Sequence, residues 1–446
     1  MMEQYFHSVR LDESRCRGCT NCIKRCPTEA IRVKDGKARI TDARCIDCGE
    51  CIRNCPNHAK IAVTDTLDML EHFDYKIALI APSFFGQFKS KVTPEQIIAG
   101  VLACGFDDYF EAAHGAEVLT ELTKVYLREN HEKRPLIGTS CPVILRLIQV
   151  KFPNLVDNII LLHVPIQIAA AEARRIAVAK TGLSPEKIGI FFITPCPAKV
   201  TSIRQPEGCD GFGIDGAVSM HEVAVKILQN FGPGNVQEKL QATGLGLGWG
   251  RASGETEALA NSGIKVLSVD GIHNVISVLQ EVDMGKFEGI DYIDCNSCTG
   301  GCVGGVLTLQ NPYVAKVRIQ EIAEGLPKES KMDFPRFIKE YEQGRYLFDK
   351  KIEPRQIMKL DNNMTVAMQK LEQLEKVLEG LPQLDCGACG CPTCRALAED
   401  IVQGQAVETD CIFKMRGEVE NLAEIMLELA KKVPPAMGTD TLQKKD

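Results

Sequence analysis

The residues most able to do chemistry in this chain are its 20 cysteines. The N-terminal segment has neither the apolar core nor the cleavage site of a signal peptide, so we expect a cytoplasmic protein whose thiols stay reduced. Reduced cysteines in this number indicate metal binding. Zinc usually recruits histidine or isolated C-x2-C pairs, and the eight histidines form no ligand-like array. Iron–sulfur clusters, each held by four thiolates, fit the cysteine sets better.

Two copies of one cysteine motif open the chain. Each reads C-x2-C-x2-C-x3-C-P, and the second follows the first by 29 residues. This is the run of bacterial two-cluster ferredoxins, in which the fourth cysteine ligates the other cluster. We therefore predict two [4Fe–4S] clusters, with zinc sites as the alternative. One cluster takes Cys16, Cys19, Cys22 and Cys55, and the other takes Cys45, Cys48, Cys51 and Cys26.

A third cysteine set lies near the C-terminus. Cys386, Cys389, Cys394 and Cys411 follow the pattern C-x2-C-x4-C-x16-C. The segment resembles a small module that binds one [4Fe–4S] cluster in several redox enzymes. A zinc ribbon is the alternative, although the helical surroundings do not suit a β-ribbon. Cys391 is a fifth thiol in the same loop and could exchange roles with a neighbour.

The middle of the chain carries a fourth set, assembled from three distant loops. Cys141 lies in GTSCPV, Cys196 in TPCPAK, and Cys298 and Cys302 in DCNSCTGGCVGG. Each loop follows a strand-like segment or enters a glycine-rich turn, which is where an α/β sheet presents ligands. These residues predict one buried four-thiolate site.

The elements that must position these loops read as an α/β protein. Apolar strand-like segments such as IALIAP and KIGIFFITP alternate with helical ones such as PIQIAAAEARRIAVAK. We predict an α/β catalytic domain with mostly parallel sheets, flanked by an N-terminal α+β ferredoxin-like domain and a C-terminal helical Fe–S module. The predicted domains are 1–62, 63–360 and 361–446. The net charge of −7 argues against nucleic-acid binding, and no apolar run is long enough to span a membrane.

The three central loops resemble the signature loops of the [FeFe]-hydrogenase catalytic domain. The similarity also includes APS at 81–83, GFDDYFE at 105–111 and GRASGETEA at 251–259. It implies an H-cluster, in which a [4Fe–4S] cubane is joined to a diiron unit carrying carbonyl and cyanide ligands. Cys141, Cys196 and Cys298 would hold the cubane, and Cys302 would bridge to the diiron unit. The resemblance therefore implies four [4Fe–4S] clusters and a diiron subcluster that needs separate maturation.

The resemblance also implies a pocket around the diiron unit. Lys199 matches the lysine that hydrogen-bonds one cyanide, with a solvated surface lysine as the alternative. Ser83 and the backbone near Pro82 match donors to the other cyanide, and Pro195 matches a lining residue. Trp249 matches a pocket phenylalanine, and an ordinary core aromatic is an equal alternative.

Several positions depart from the fast enzymes of this family. Ser140 stands in place of a cysteine, Thr194 and Asn296 in place of methionines, Ser202 in place of a glutamate and Val164 in place of a relay serine. Such departures resemble the sensory branch, in which a slow hydrogenase domain reports H2 or redox state. We assign Cys302, Lys199 and Ser140 as catalytic residues, with Asn296 beside the cofactor.

The predicted function is reversible H2 oxidation and proton reduction, with electrons relayed through the accessory clusters. A non-catalytic hydrogenase-like Fe–S protein without a diiron unit, active in electron transfer or cluster assembly, is the alternative. No flavin or NAD fingerprint supports a bifurcating subunit. The expected partners are ferredoxin or another redox protein, a separate signalling protein, and H2 and protons as substrates. A homodimer is one option.

Overall fold

The apolar runs of the central sequence form parallel sheets in the computed structural model of the chain. The structure describes residues 5–130, 132–229, 239–260, 262–355, 360–361 and 363–432. The chain divides into two units. Unit 1 comprises Met1–Cys16, Arg25–Ala30 and Ile40–Ile357, and unit 2 comprises Arg17–Lys24, Ile31–Arg39 and Met358–Asp446. The predicted domain borders describe sequence modules and stay a prediction.

The strands are short, as is usual for strands that alternate with helices. They are β1 (Val9–Leu11), β2 (Ile31–Lys34), β3 (Lys37–Ile40), β4 (Lys60–Ala62), β5 (Tyr75–Ile80), β6 (Asp108–Glu111), β7 (Leu136–Ile137), β8 (Ile188–Thr194), β9 (Gly216–Ser219), β10 (Val266–Asp270) and β11 (Tyr292–Asn296).

The helices range from four to 20 residues in length. They are α1 (Asn21–Lys24), α2 (Glu50–Arg53), α3 (Pro94–Leu102), α4 (Ala112–Glu129), α5 (Pro142–Lys151), α6 (Pro165–Thr181), α7 (Pro197–Arg204), α8 (Met220–Gln229), α9 (Gly244–Gly248), α10 (Gly254–Ala258), α11 (Ile272–Asp283), α12 (Pro312–Glu324), α13 (Phe334–Glu342), α14 (Met364–Gly380), α15 (Cys394–Val402) and α16 (Ile412–Lys431). None of the described helices combines the length and apolar character needed to cross a bilayer.

Unit 1 is built around two parallel sheets. One has the strand order β6-β5-β8-β9 and the other β10-β11-β7. Every residue of β8 is buried, which explains why this strand reads as a continuous apolar run rather than an alternating one. Helices α4 and α6 cross closely at Gly115. A Cβ at this position would lie only 2.0 Å from the carbonyl oxygen of Pro165, so the close approach requires glycine. These sheets confirm the predicted α/β class.

The core of unit 1 lies on the faces of these sheets. Phe191 and Phe192 of β8 are fully buried in one apolar cluster, which also contains residues of α3, α6 and α8. Burying each such side chain contributes roughly 1.5–3 kcal/mol to folding. Because this core is apolar and independent of any cysteine set, the sheets can present the loops at their ends as rigid supports.

Unit 2 combines the helical C-terminal region with a short hairpin. Strands β2 and β3 form a two-stranded sheet, and Asp35 and Gly36 between them both have positive φ, as a tight hairpin turn requires. The Val33 amide donates to the Gly390 carbonyl at 2.9 Å, and the Arg32 guanidinium pairs with Asp400 at 2.7 Å. Helices α14 and α15 pack together around Leu374. The C-terminal region is therefore helical, as predicted.

Candidate metal centre

The cysteine loops of the central domain begin where parallel strands end. Cys141 follows β7, Cys196 follows β8, and Cys298 and Cys302 follow β11. β7 pairs directly with β11, so their loops leave the same edge of one sheet. β8 belongs to the other sheet, and Pro82 and Ser83 follow its neighbour β5. The predicted loops are thus all at carboxyl ends of strands.

The four thiols lie within electrostatic reach of one another and of Lys199. Burial raises the pKa of the Cys196 thiol to about 11, against the opposing pull of the Lys199 ammonium. Burial would lower the pKa of Lys199, but the negative charges of Cys302, Cys196 and the other two thiolates raise it above its usual value. The Lys199 Nζ donates to the Cys302 Sγ at 3.7 Å. Lys199 is buried, so it is not a solvated surface lysine.

Two of these thiols are placed by helices. Cys141 precedes α5 and Cys196 precedes α7, and each helix starts with proline at its first position. Proline has no amide hydrogen there, and the free amides of the first turn face the capping residue. The Val143 amide lowers the pKa of the Cys141 thiol, although burial outweighs it and raises the value overall. The first turn of each helix thus favours negative charge at the thiol.

The glycines after Cys298 let the third loop approach the rest of the site. Gly301 has φ +84, and a Cβ there would lie 2.4 Å from the Ala252 amide nitrogen. A Cβ at Gly305 would lie 2.3 Å from the Pro195 carbonyl oxygen. Backbone contact at these distances is open only to glycine, which explains the GG pairs of the sequence motif.

A small cavity borders Cys302. The cavity has a volume of about 60 Å³, which is enough for a few water molecules. Its walls include Pro82, Ser83, Ser140, Val164, Pro195, Lys199, Trp249 and Cys302. The Ser83 Oγ and the Trp249 Nε1 are buried and make no hydrogen bond within the described part of the chain. Buried donors normally have partners, so both are suited to a polar group inside this cavity.

Ser140 lies among three cavities. One is the cavity beside Cys302, and a second of about 30 Å³ contains Val164, Ser202 and Arg146. In this second cavity the Arg146 Nη2 donates to the Ser202 Oγ at 3.2 Å. Val164 lies in the walls of both cavities and offers neither a donor nor an acceptor.

The third cavity beside Ser140 contains buried acids that the sequence analysis did not identify. Burial and the nearby Asp294 raise the pKa of Glu255 well above its usual value, and the Tyr292 hydroxyl donates to this carboxyl. Burial also raises the pKa of Asp294 to about 6, against hydrogen bonds from Ser268 and other side chains. Asn296 donates to Asp294 at 2.8 Å and lines this cavity.

The second ferredoxin-type set is also brought together within unit 1. Burial raises the pKa of the Cys48 thiol, and Cys26, Cys51 and Cys45 add to this rise through their charges. Cys26 is thus near the three cysteines of the second motif, and the crossed ligand assignment stays a prediction. The other set is divided between the two units, and its assignment stays a prediction.

The second ferredoxin-type set borders the central site. Cys48, Cys141 and Cys196 pack against the same apolar cluster. The Arg53 side chain, on α2, donates to the Gly304 carbonyl in the turn after Cys302 at 2.7 Å. The two four-thiol sets therefore share both core and loop contacts within unit 1.

Four of the five C-terminal cysteines belong to or pack against one small apolar cluster of unit 2. Cys394 and Cys411 are buried in it, Cys389 packs against it, and Cys386 is exposed. The fifth thiol, Cys391, is also buried and donates to the Asp400 carboxylate at 3.5 Å. Asp400 in turn pairs with an arginine of the hairpin. This contact gives Cys391 a partner other than a metal, and the ligand set of the module stays a prediction.

Three family models match the chain in sequence order. Residues 8–56 match a 4Fe-4S dicluster domain, residues 74–263 match the C-terminal domain of the iron-only hydrogenase large subunit, and residues 381–413 match a domain described as "Putative Fe-S cluster". The hydrogenase match ends before Cys298, so it does not itself cover the third cysteine loop.

Curated relatives agree with these matches. The periplasmic [Fe] hydrogenase large subunit of Nitratidesulfovibrio vulgaris is 25% identical over 361 residues, which cover 67% of this chain and 86% of the relative. Iron hydrogenase 1 of Clostridium pasteurianum is 24% identical over 255 residues, or 47% of this chain and only 44% of that protein. The chain thus spans less than half the length of the clostridial relative.

Solved structures of [FeFe]-hydrogenases are also similar. The HydA(deltaEFG) structure has a TM-score of 0.49 at 14% identity, covering 65% of this chain and 94% of that one. HydA1 from Chlamydomonas reinhardtii has a TM-score of 0.47 at 15% identity, covering 62% and 93% of the two chains.

Proposed function

We propose that this chain catalyses reversible H2 oxidation and proton reduction at an H-cluster, because residues 74–263 match the C-terminal domain of the iron-only hydrogenase large subunit. The observation that carries the proposal is the position of Lys199. Its buried ammonium is 3.7 Å from the Cys302 thiol, and Lys199 lies in the wall of the small cavity that Cys302 borders. A buried cation at the end of a four-thiol site is costly unless an anionic group pairs with it.

The residues present fit the diiron unit that the family implies. An anionic group with polar ligands would need buried donors, and Ser83 Oγ and Trp249 Nε1 are two donors without partners at the same cavity. Cys302 lies in the cavity wall and also belongs to the four-thiol set, as a bridging ligand must. When bound, the diiron unit would supply the metal centre at which protons and electrons combine to H2.

The chain's own side chains would then have three tasks. Cys141, Cys196 and Cys298 would hold the cubane, with Cys302 between the cubane and the diiron unit. Lys199 would donate a charge-assisted hydrogen bond to an anionic ligand, and this bond strengthens in a pocket that excludes water. The apolar wall that includes Val164 and Pro195 would keep bulk water away.

Electrons would reach the site through the ferredoxin-type sets. The set that contains Cys48 and Cys26 shares an apolar cluster with the central thiols, which supports its role as the neighbouring relay. Four sets of four cysteines would give four [4Fe–4S] clusters per chain. Ferredoxin or a similar protein would exchange electrons with the outer clusters.

We expect slow turnover and a sensory use. Ser140 is a much weaker acid than a thiol, and the Val164 side chain, in the wall of the two cavities that Ser140 also lines, can neither donate nor accept a proton. Slow catalysis suits a protein that reports H2 or redox state to a separate signalling protein. The cytoplasmic location also stays a prediction, which cell fractionation tests.

Infrared spectroscopy after maturation tests the proposal directly. Carbonyl and cyanide bands that shift under H2 would support a catalytic H-cluster. The alternative, a non-catalytic Fe–S protein, is favoured by the apolar Val164 at the proton side. It predicts complete iron–sulfur spectra with no carbonyl or cyanide bands after exposure to the maturation system.

A further inference from the structure

Asp47 is a buried acid inside the loop of the second ferredoxin-type cysteine set. It lies between Cys45 and Cys48 in the sequence, and its side chain is 0% exposed. Its φ of +52 is in the left-handed region, which aspartate adopts more readily than most residues. Burying a carboxylate is costly unless polar groups surround it, so this position needs partners from the rest of the fold.

Three groups from other elements surround the Asp47 carboxylate. The His7 Nδ1 donates to its Oδ2 at 2.7 Å, and the Val9 amide at the start of β1 donates to its Oδ1 at 3.1 Å. The Arg146 Nη1, on α5, lies 3.8 Å from the same Oδ2, and the Arg146 side chain is also buried. Two N–H donors and a guanidinium favour the ionised form of a carboxyl group. Asp47 therefore places a fixed negative charge in this loop.

This negative charge lies beside a predicted cluster ligand. The Cys45 Sγ is 4.0 Å from the Asp47 Oδ1, and the ligand atoms of His7, Cys45 and Asp47 all lie within 4.8 Å of one another. His7 and Asp47 are bonded to each other, and Cys45 belongs to a four-thiol set, so a separate metal ion at this place is not favoured. The arrangement instead brings a carboxylate close to a cluster thiolate.

We propose that Asp47 lowers the reduction potential of the [4Fe–4S] cluster held by this set, and that Arg146 limits the effect. The inference rests on the proposed electron relay through the same set. One-electron reduction, by ferredoxin or from the central site, adds one negative charge to the cluster. A negative charge nearby disfavours that step, and net charge is one of the factors that set the potential of a cluster. Because both side chains are buried, water and salt screen their charges only weakly.

Arg146 is shared between Asp47 and a second acid. Its Nε donates to the Glu207 carboxylate at 3.1 Å, and its Nη2 donates to the Ser202 Oγ at 3.2 Å. Glu207 also pairs with Arg355 at 2.6 Å. The formal charges of these two acids and two arginines alternate and cancel. Removing Asp47 or Arg146 therefore leaves an uncompensated charge near the cluster, and its sign is opposite in the two cases.

A redox titration of the full chain with reconstituted clusters, followed by electron paramagnetic resonance, tests the proposal. Asp47→Asn keeps the shape of the side chain and should raise the potential of one cluster. We expect its ratio of reduced to oxidised cluster at a fixed potential to increase about tenfold, which is about 59 mV for a one-electron couple. Arg146→Gln should lower the potential of the same cluster. The signal that Cys48→Ala removes identifies this cluster.

The opposite signs separate a charge effect from a structural one. Loosened packing or entry of water would move the potential in the same direction in Asp47→Asn and Arg146→Gln. Asp42→Asn is the matched control, because Asp42 is three residues before Cys45 in the same motif but is exposed. Its potential should equal that of the wild type, since solvent and salt screen an exposed charge. Arg44 and Arg53 of the same motif are unchanged in all of these variants.

Three results would overturn the proposal. The first is an unchanged potential in both Asp47→Asn and Arg146→Gln while the cluster is present. The second is a shift of the same sign in both variants, and the third is an equal shift in Asp42→Asn. Each of the two variants is a test on its own if the other does not assemble the cluster. The protein in this titration carries no diiron unit, so failure of the proposed H2 chemistry would leave the measured potentials unaffected.

Discussion

Replacing Lys199 by methionine tests the pocket most directly. Methionine keeps the length and apolar stem of the side chain but removes the ammonium that lies 3.7 Å from the Cys302 Sγ. The four cysteines are untouched, so the cubane should still assemble. The variant loses the cationic donor that we propose for an anionic group in the cavity beside Cys302.

The magnitude follows from the burial of Lys199. Lys199 is only 8% exposed, so water cannot take the place of the ammonium donor that the variant lacks. A hydrogen bond to a charged group contributes about 1.5–3 kcal/mol. At 1.4 kcal/mol for each tenfold change, retention of the diiron unit should weaken by about 10- to 150-fold.

The assay compares carbonyl and cyanide infrared bands per cubane after maturation and repeated buffer exchange. Lys76→Met is the matched control. Lys76 lies near the start of β5, whereas the cavity residues follow the end of this strand, and it pairs with Asp107 at the surface. The control should keep its bands. If Lys199→Met keeps both its bands and its H2 evolution at wild-type levels, Lys199 does not hold the cofactor and the assignment of the pocket fails.

Three further measurements follow from the same site. Reconstituted protein should contain about sixteen irons per chain before any diiron unit is added. Cys386→Ser should lower the iron content by about four. An iron content near twelve in the wild type, with unaltered spectra in the variant, would contradict the predicted C-terminal cluster. Ser140→Cys alone should lower the barrier to H2 evolution by less than about 1.4 kcal/mol, a factor of ten in rate. The rate gain of Ser140→Cys combined with Val164→Ser should exceed the product of the two single gains, because we propose that the Val164 side chain interrupts the proton path. A hundredfold gain from Ser140→Cys alone would refute an interrupted proton path. Burial and the nearby Asp294 raise the pKa of Glu255, so its infrared carboxylic-acid band should persist to higher pH than that of an exposed glutamate and should be absent in Glu255→Gln. The exposed Glu257→Gln is its control, and a band that survives Glu255→Gln would contradict the assignment.

Much of the site was predictable because its ligands are cysteines in loops. Cysteine spacing identifies sets without knowledge of the fold, and prolines after Cys141 and Cys196 mark the loop-to-helix boundary. The apolar run of β8 is long enough to identify a strand buried on both faces. Together these signals place the thiols at the ends of parallel strands before any coordinates are known.

The buried acids were not predictable with the same ease. Asp294 lies within β11, and the one sequence signal for its burial is that an acidic residue interrupts a buried strand. Glu255 lies in the short α10 beside Glu257, and the sequence gives no indication that one is buried while the other is exposed. Their difference depends on Tyr292, which reaches Glu255 from a strand 37 residues away.

The hairpin of β2 and β3 shows that domain organisation could not be predicted fully from the sequence. Its sequence lies between two cysteine motifs of one repeat, which favours a single N-terminal module. In the structure it belongs to unit 2, where Arg32 pairs with Asp400 across 368 positions of sequence. Ion pairs of this range leave no local trace in composition or periodicity.

The helix starts at Cys141 and Cys196 also bear on the order in which this protein matures. Both thiols precede α5 and α7, whose buried faces pack in an apolar cluster made largely of aliphatic side chains. In zinc fingers the metal supplies the folding free energy, so the apoprotein is unfolded. We expect this scaffold to fold without a contribution from metal, because the core of its larger sheet is apolar. Chain folding would come first and metal insertion second, into a prearranged set of thiols, and chelation should therefore bleach the protein without unfolding its central domain.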